Sequence, residues 1–264
     1  MNTDAYSPAE IAARVESVGV AKARADLLSV LLLSILAGAF ISLGAIFFLV
    51  VVTGSELGFG VTRLLGGLAF SLGLILVVVA GAELFTGNNL VAMAWASRMI
   101  TAGELLRNWL VVYVGNVLGA IGTAIFVWLG GVDQLGGGAV GATALAVGQA
   151  KAELGVLQAA ALGLLCNALV CLAVWLAIGG RSVTDKVVGV LFPITAFVTV
   201  GFEHSIANWF FLPYAYLLGA GESAEFVPGA LRNLAAVTVG NVAGGTLLVA
   251  GVYWLAYLRP GRKA

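Results

Sequence analysis

Four stretches of this chain run the length of a membrane crossing without a charged residue: Leu27 to Val52, Asn108 to Val132, Leu154 to Gly180 and Asn233 to Leu258. A helix needs about 20 apolar residues to cross roughly 30 Å of hydrocarbon. Backbone groups in lipid must be satisfied within their own segment, so each run is expected to be a helix. The composition agrees, with 61% hydrophobic and only 10% charged residues, where soluble domains carry about a quarter charged. This excludes an ordinary soluble domain and predicts an all-α membrane protein embedded in the lipid bilayer. A net charge of zero with no basic stripe gives no support to nucleic-acid binding. Cys166 and Cys171 fall inside one apolar run off a common helix face and match no metal or disulfide framework. They read as packing residues, and no cofactor or metal is expected.

Two further apolar stretches are too long for one straight helix. Leu64 to Ser97 is interrupted in charge only by Glu83, and as a single helix it would reach about 50 Å. It must break, at Ala80-Gly81-Ala82-Glu83-Leu84-Phe85-Thr86-Gly87-Asn88-Asn89, where Gly, Asn and Thr favour loop geometry. Val187 to Gly221 has its interruption at Gly201 to Ser205. The expectation is six transmembrane helices with the second and fifth broken. The halves also repeat: Val112-Tyr113-Val114-Gly115-Asn116-Val117-Leu118-Gly119 matches Val237-Thr238-Val239-Gly240-Asn241-Val242-Ala243-Gly244, and Gly81-Ala82-Glu83 matches Gly201-Phe202-Glu203. Three crossings per half make a 3+3 inverted repeat, in which interrupted segments at matching places point to the transport site.

Residues 27–258 thus form the membrane domain. Before it, residues 1–26 carry a capping box, Ser7-Pro8-Ala9-Glu10, and helically spaced Ile11, Val15 and Val18, predicting an amphipathic helix on the membrane surface. Residues 259–264 are a tail. Arg14, Lys22, Arg24, Arg98, Arg107, Arg181, Lys186, Arg259, Arg262 and Lys263 collect on the side of the termini, and only Arg63, Lys151 and Arg232 lie opposite. No cleaved signal pattern is seen at the N-terminus. The positive-inside bias places both termini in the cytoplasm of a cell whose inner (plasma) membrane holds the protein.

His204, the only histidine, falls near mid-membrane in the second break. An ionisable group there is a functional-site hypothesis by default, against the alternative of a satisfied core histidine tying helices together. The half-helices after Asn88 and His204 are expected to aim N-H groups at a small anion. Protonation removes most of an anion's barrier to crossing low dielectric, and an imidazole is suited to exchange that proton. Glu83 and Glu203 fit either a proton relay or a structural device accepting hydrogen bonds from loop N-H groups; their placement, one per break, favours the second. Lys22 and Lys151 suit either anion attraction at the two mouths or interfacial anchoring. A hydrolase using Glu203 and His204 lacks a convincing nucleophile, since Ser205 has no third orienting group at a recognised spacing. A neutral-solute channel of aquaporin type would carry paired Asn-Pro-Ala motifs, which are absent.

Gly-Phe-Glu-His-Ser-Ile-Ala-Asn at 201–208, Glu-Leu-Phe-Thr-Gly-Asn-Asn at 83–89, Cys-Asn-Ala-Leu-Val-Cys-Leu-Ala-Val-Trp at 166–175 and the paired Val-Gly-Asn motifs resemble the formate/nitrite transporter family, most closely its formate-channel branch. The resemblance implies an aquaporin-like protomer in a homopentamer, each protomer with its own pore for formate or, alternatively, nitrite or hydrosulfide, with protons exchanged at the central histidine. It puts that histidine at His204 with Thr86 and Asn167 as polar neighbours. Glu203 and Asn208, in the same stretch, are counted with them in the substrate pore. It implies apolar constrictions at Phe70 and Phe197 on the outer side and at Leu74, Leu84 and Val170 on the inner side. Lys22 and Lys151 match the family's vestibule lysines, in line with anion attraction. No enzymatic activity is implied.

Overall fold

The computed structural model describes residues 5–259, which are helical throughout with no strand among them. In chain order come α1 (Pro8–Arg24), α2 (Leu27–Val52), α3 (Phe59–Ala80), a 3-10 turn (Gly87–Val91) leading into α4 (Ala92–Ala96), α5 (Ala102–Leu129), α6 (Ala139–Glu153), α7 (Val156–Gly179), α8 (Val183–Val200), α9 (Ser205–Leu217) and α10 (Phe226–Ala243). The last continues through π-helical turns at Gly244–Gly251 and Trp254–Leu258. Six of these segments, α2, α3, α5, α7, α8 and extended α10, are long and apolar enough to cross a membrane. Arg262, Lys263 and most of the expected 259–264 tail lie outside the described residues.

The two halves form matching trios, α2 packing on α3 and α5 and α7 packing on α8 and α10, and α3 meets α8 between them. Within each trio the backbones touch. A methyl at Gly119 would stand 2.0 Å from the Ile35 carbonyl oxygen, and one at Gly38 would stand 2.1 Å from that of Asn116. The other half repeats this: a methyl at Gly240 would run into the Ala160 carbonyl oxygen and one at Gly244 into that of Leu164. Small residues permit this approach in lipid, where packing rather than water exclusion holds helices together.

Both breaks form in the same way. α3 and α8 end on glycines in the left-handed region, Gly81 (φ 82°) and Gly201 (φ 87°), a conformation strained for other L-residues. Ala82 N-H donates back to Val77 O and Phe202 N-H to Phe197 O, the Schellman closure. The released chain is then held by its neighbour, Glu83 N-H donating to Leu33 O and Glu203 N-H to Leu162 O.

Several expectations are revised. α3, α5 and α10 begin before the charge-free runs and carry Arg63, Arg107 and Arg232 within their first two turns. α6 has no counterpart in the sequence reading; it packs on α9 and α10 and carries Lys151 in its last turn. The stretch after the first break is a 3-10 turn and five helical residues, not a half-helix starting at Asn89. The capping box of α1 is present, and hydrogen bonds from Ser7 hold the Glu10 carboxyl below its ordinary pKa. Its apolar face, expected on the membrane surface, instead has a protein partner: Ile11, Ala12 and Val15 are buried with Leu90, Met93 and Trp175.

Candidate functional site

Two asparagines brace the breaks identically. Asn116 on α5 donates to Ser34 O (2.7 Å) and Glu83 O (2.8 Å) and accepts from Phe85 N-H (2.8 Å). Asn241 on α10 donates to Gly163 O (2.7 Å) and Glu203 O (2.9 Å) and accepts from Ser205 N-H (2.8 Å). Each amide thus spans a helix carbonyl, the carbonyl of the break's glutamate, and the N-H two residues on. These are the asparagines of the repeated Val-Gly-Asn motif, and both are fully buried.

A second matched pair of clusters surrounds the glutamates. Lys22 donates to both Glu83 oxygens at 2.8 Å and to Asn88 Oδ1 at 3.0 Å. Asn88 Nδ2 donates to Glu83 (2.7 Å) and Asn108 (3.1 Å), and Asn108 donates to Lys22 O. In the other half Lys151 donates to Glu203 Oε1 at 2.6 Å, Asn208 Nδ2 to Glu203 (2.6 Å) and Asn233 (2.8 Å), and Asn233 to Lys151 O. The carboxylates therefore accept from lysine and asparagine side chains, not from the loop N-H groups the sequence suggested. Each lysine charge is matched by a carboxylate, so neither offers the uncompensated cation that an anion-attracting role assumes.

His204 is the N-cap of α9. Its Nδ1 accepts from Ala207 N-H (3.1 Å), and its Nε2 lies 3.0 Å from Thr86 Oγ1. A ring nitrogen accepting from a backbone N-H carries no hydrogen, so the neutral ring holds its proton on Nε2, facing Thr86. Two of the first-turn N-H groups at this break are thereby committed, Ser205 to Asn241 and Ala207 to the ring itself. Ser205 Oγ is buried with no hydrogen-bond partner among the described residues, and both ring nitrogens are engaged elsewhere. Ser205 and the ring are thus not hydrogen-bonded to each other, as a serine nucleophile and its base would be.

Asn167 does not reach the ring. Its Nδ2 donates to Thr86 O (3.2 Å), Asn89 Oδ1 (2.7 Å) and Asn241 O (2.7 Å), so it supports the Thr86 loop from behind. Gly245 makes this possible, because a methyl there would stand 2.5 Å from Asn167 Nδ2. No group of three metal-ligating side chains converges among the described residues.

One cavity reaches His204, and a second lies beyond Leu74 and Leu84. The one at the Lys151 end has a volume of about 450 Å³ and includes Lys151, Glu203, Asn208, Phe70, Phe197 and His204 in its wall. The one at the Lys22 end, about 290 Å³, includes Lys22, Glu83, Asn88, Leu74 and Leu84. Between them Phe70, Leu74, Leu84, Val170 and Phe197, joined by Ile41 and Ile194, close around His204 with no room for a water. Phe197 links the neck together, edge-on to Phe70 (centroids 5.7 Å apart) and stacked on the imidazole (5.9 Å).

All five residues expected at the constrictions thus meet at one neck, and Lys22 and Lys151 sit in opposite vestibules. Sequence reasoning missed Ile41 and Ile194, which carry no signal within apolar runs. It also missed Asn88, Asn108 and Asn233, whose signal was available: Asn88 and Asn208 share the spacing of the two glutamates, and Asn108 and Asn233 share that of the Val-Gly-Asn motifs.

Known proteins are similar to this chain over nearly its full length. The chain is 41% identical to the Escherichia coli K12 protein described as formate channel FocA, covering 97% of this chain and 96% of that one. It is 38% identical to a probable formate transporter of Methanothermobacter thermautotrophicus, covering 98% and 100%. Among solved structures it is similar to a pentameric formate channel with formate bound (42% identity, TM-score 0.78, covering 88% of this chain and 98% of that one) and to an FNT family ion channel (28% identity, TM-score 0.86, covering 94% and 98%). The family model for formate/nitrite transporters matches residues 9–255, and with these likenesses it follows that the chain belongs to the formate/nitrite transporter family.

Proposed function

We propose that the protein is a channel or transporter carrying formate and similar small monovalent anions across the cell membrane, with proton exchange at His204. The observation that carries this reading is the position of the imidazole: its Nε2 faces Thr86 Oγ1 inside a dry neck between two vestibules. A bare anion meets a prohibitive desolvation cost in such a neck, and apolar constrictions block hydrated ions by dewetting. A small acid in its neutral form fits both constraints. The route for the proton follows from the ring's bonds. A hydronium proton from the Lys151-end cavity, whose wall includes His204, adds at Nδ1 and releases Ala207 N-H; the imidazolium gives its Nε2 hydrogen to the carboxylate, leaving water, a neutral acid and a neutral ring protonated at Nδ1.

Thr86 receives the substrate beside Nε2, with Asn167 holding its loop. Glu203 and Asn208 line the approach from the Lys151 end. The vestibules at Lys151 and Lys22 are the outer and inner mouths, with both termini cytoplasmic and the protein in the inner (plasma) membrane. Five protomers assemble as in the pentameric relative, so a purified sample has the mass of five 27.0 kDa chains in native mass spectrometry.

Purified protein in liposomes tests the reading. Formate flux that rises as external pH falls and is lost in His204→Ala supports it. Water flux with no anion movement, at any pH, refutes it. Competition of formate with nitrite, acetate and hydrosulfide ranks the substrates; nitrite or hydrosulfide outcompeting formate assigns the same pore to that branch of the family.

A further inference from the structure

The vestibules are not electrically equivalent. The Lys22-end cavity is lined by one cation and one carboxylate, Lys22 and Glu83, which bind each other. The Lys151-end cavity is lined by two cations, Arg63 and Lys151, and one carboxylate, Glu203. Lys151 is committed to Glu203. Arg63 makes no ion pair among the described residues: its Nε donates to Thr199 O (3.1 Å) and its Nη2 to Val198 O (2.5 Å), both neutral carbonyls at the end of α8. A guanidinium carries about five N-H donors and keeps its charge, so Arg63 retains a full positive charge and uncommitted donors in the cavity wall. Two turns along α3, Phe70 lines the same cavity, and next to Val198 on α8 stands Phe197. The charge therefore sits on the two helices that supply the neck's aromatic pair, at one end of the pore only.

We propose that Arg63, rather than Lys151, gathers anions in the Lys151-end vestibule, and that it makes permeation electrostatically asymmetric. This rests on the proposed transport of small monovalent anions and identifies the residue that recruits them. A like-signed lining concentrates counter-ions within a low-dielectric cleft, and salt screens the effect. The second cation gives the Lys151 end a net positive wall; the Lys22 end is balanced.

The test uses sealed membrane vesicles of both orientations from cells expressing the full chain, with initial formate flux measured against formate concentration at low and high ionic strength. In Arg63→Gln, the half-saturating formate concentration should rise about fivefold from the Lys151 end and stay unchanged from the Lys22 end. Salt dependence should flatten and the maximal rate should hold. Arg63→Lys should restore the wild-type values. Unchanged half-saturation and salt dependence in Arg63→Gln overturns the proposal, as does an equal fall in maximal rate from both ends, which marks Arg63 as only a strut between α3 and α8. Should Arg63→Gln fail to reach the membrane, Arg63→Cys modified in place by membrane-impermeant cationic or anionic thiol reagents supplies the comparison, both native cysteines being buried. A lower half-saturation with the cationic adduct supports the proposal, and equal values overturn it. Wild-type vesicles that pass no small anion overturn the transport reading itself, and this inference with it.

Discussion

Asn241→Ala offers a direct test of the paired amide braces. The wild-type side chain is fully buried and makes three bonds, to Ser205 N-H, Gly163 O and Glu203 O. Alanine leaves the Ser205 N-H buried without its acceptor, at a cost of about 1–3 kcal/mol, and removes two further bonds at about 0.5–1.5 kcal/mol each. The sum is centred near 4 kcal/mol. For a chain of 264 residues, about 2 °C of thermal midpoint per kcal/mol gives a fall of about 8 °C, readable by scanning fluorescence in detergent. Asn116→Ala, whose amide makes the equivalent bonds, should fall by a similar amount. The two should part in transport. Asn241→Ala loosens the segment bearing His204 and should depress formate flux, whereas Asn116→Ala acts on the Leu84 side of the neck and should chiefly relax exclusion of larger anions. Midpoints within about 2 °C of wild type for both variants would refute the account of the braces.

The buried pair Lys151–Glu203, with side chains 14% and 6% exposed, should be more sensitive than Lys22–Glu83 at 28% and 15%. Glu203→Gln should cost about 3 kcal/mol, the lower end for an orphaned buried charge because the pair borders a cavity; Glu83→Gln should cost about half that, and the reverse order in thermal midpoint would contradict the burial argument. Leu84→Ala should open the neck and raise acetate flux relative to formate, at about 2–3 kcal/mol of stability; an unchanged ratio in liposomes would show that Leu84 does not set the aperture. Glu10, whose carboxyl is depressed by Ser7, stabilises α1 above its free pKa of 4.5, and that contribution is lost as pH falls through the lower folded value. Amide protection of α1, corrected for intrinsic exchange, should hold from neutral pH to about 4.5 and drop below it, while protection that fell already between pH 7 and 5 would exclude Glu10 as the cause.

The spans and both interruptions were legible because their signals are local: long charge-free runs, and glycines that end α3 and α8 in a conformation other residues resist. Span starts were read late for one reason. Arg63, Arg107 and Arg232 fall within the first two turns of α3, α5 and α10, and a search for uncharged runs stops short of them. α6 escaped notice since Ala139–Glu153 is rich in alanine and glycine and shows no strong apolar stripe. At the site, His204 was singled out by its position in the second break, and Thr86 and the constriction residues by the family resemblance, but the partners of the charges were not foreseen. That Lys22 meets Glu83, and Lys151 meets Glu203, depends on docking α1 and α6 against the breaks, contacts 61 and 52 positions apart that no local pattern encodes. Asn167 was assigned to the ring because the motif places it nearby; three-dimensional contacts turn its amide toward the Thr86 backbone instead.

The carbonyl-to-glycine contacts that seat α5 on α2 and α10 on α7 have a mechanical corollary. Helices whose main chains already touch can neither slide nor spread without prising apart both halves of the barrel, so the walls around the neck are a fixed frame. Under the proposed transport, what yields to a passing acid is then the terminal torsion of a phenylalanine or leucine, a motion of picoseconds to nanoseconds where side chains are free to turn. On that proposal, cargo is measured with rotamers rather than with the tilt of the spans.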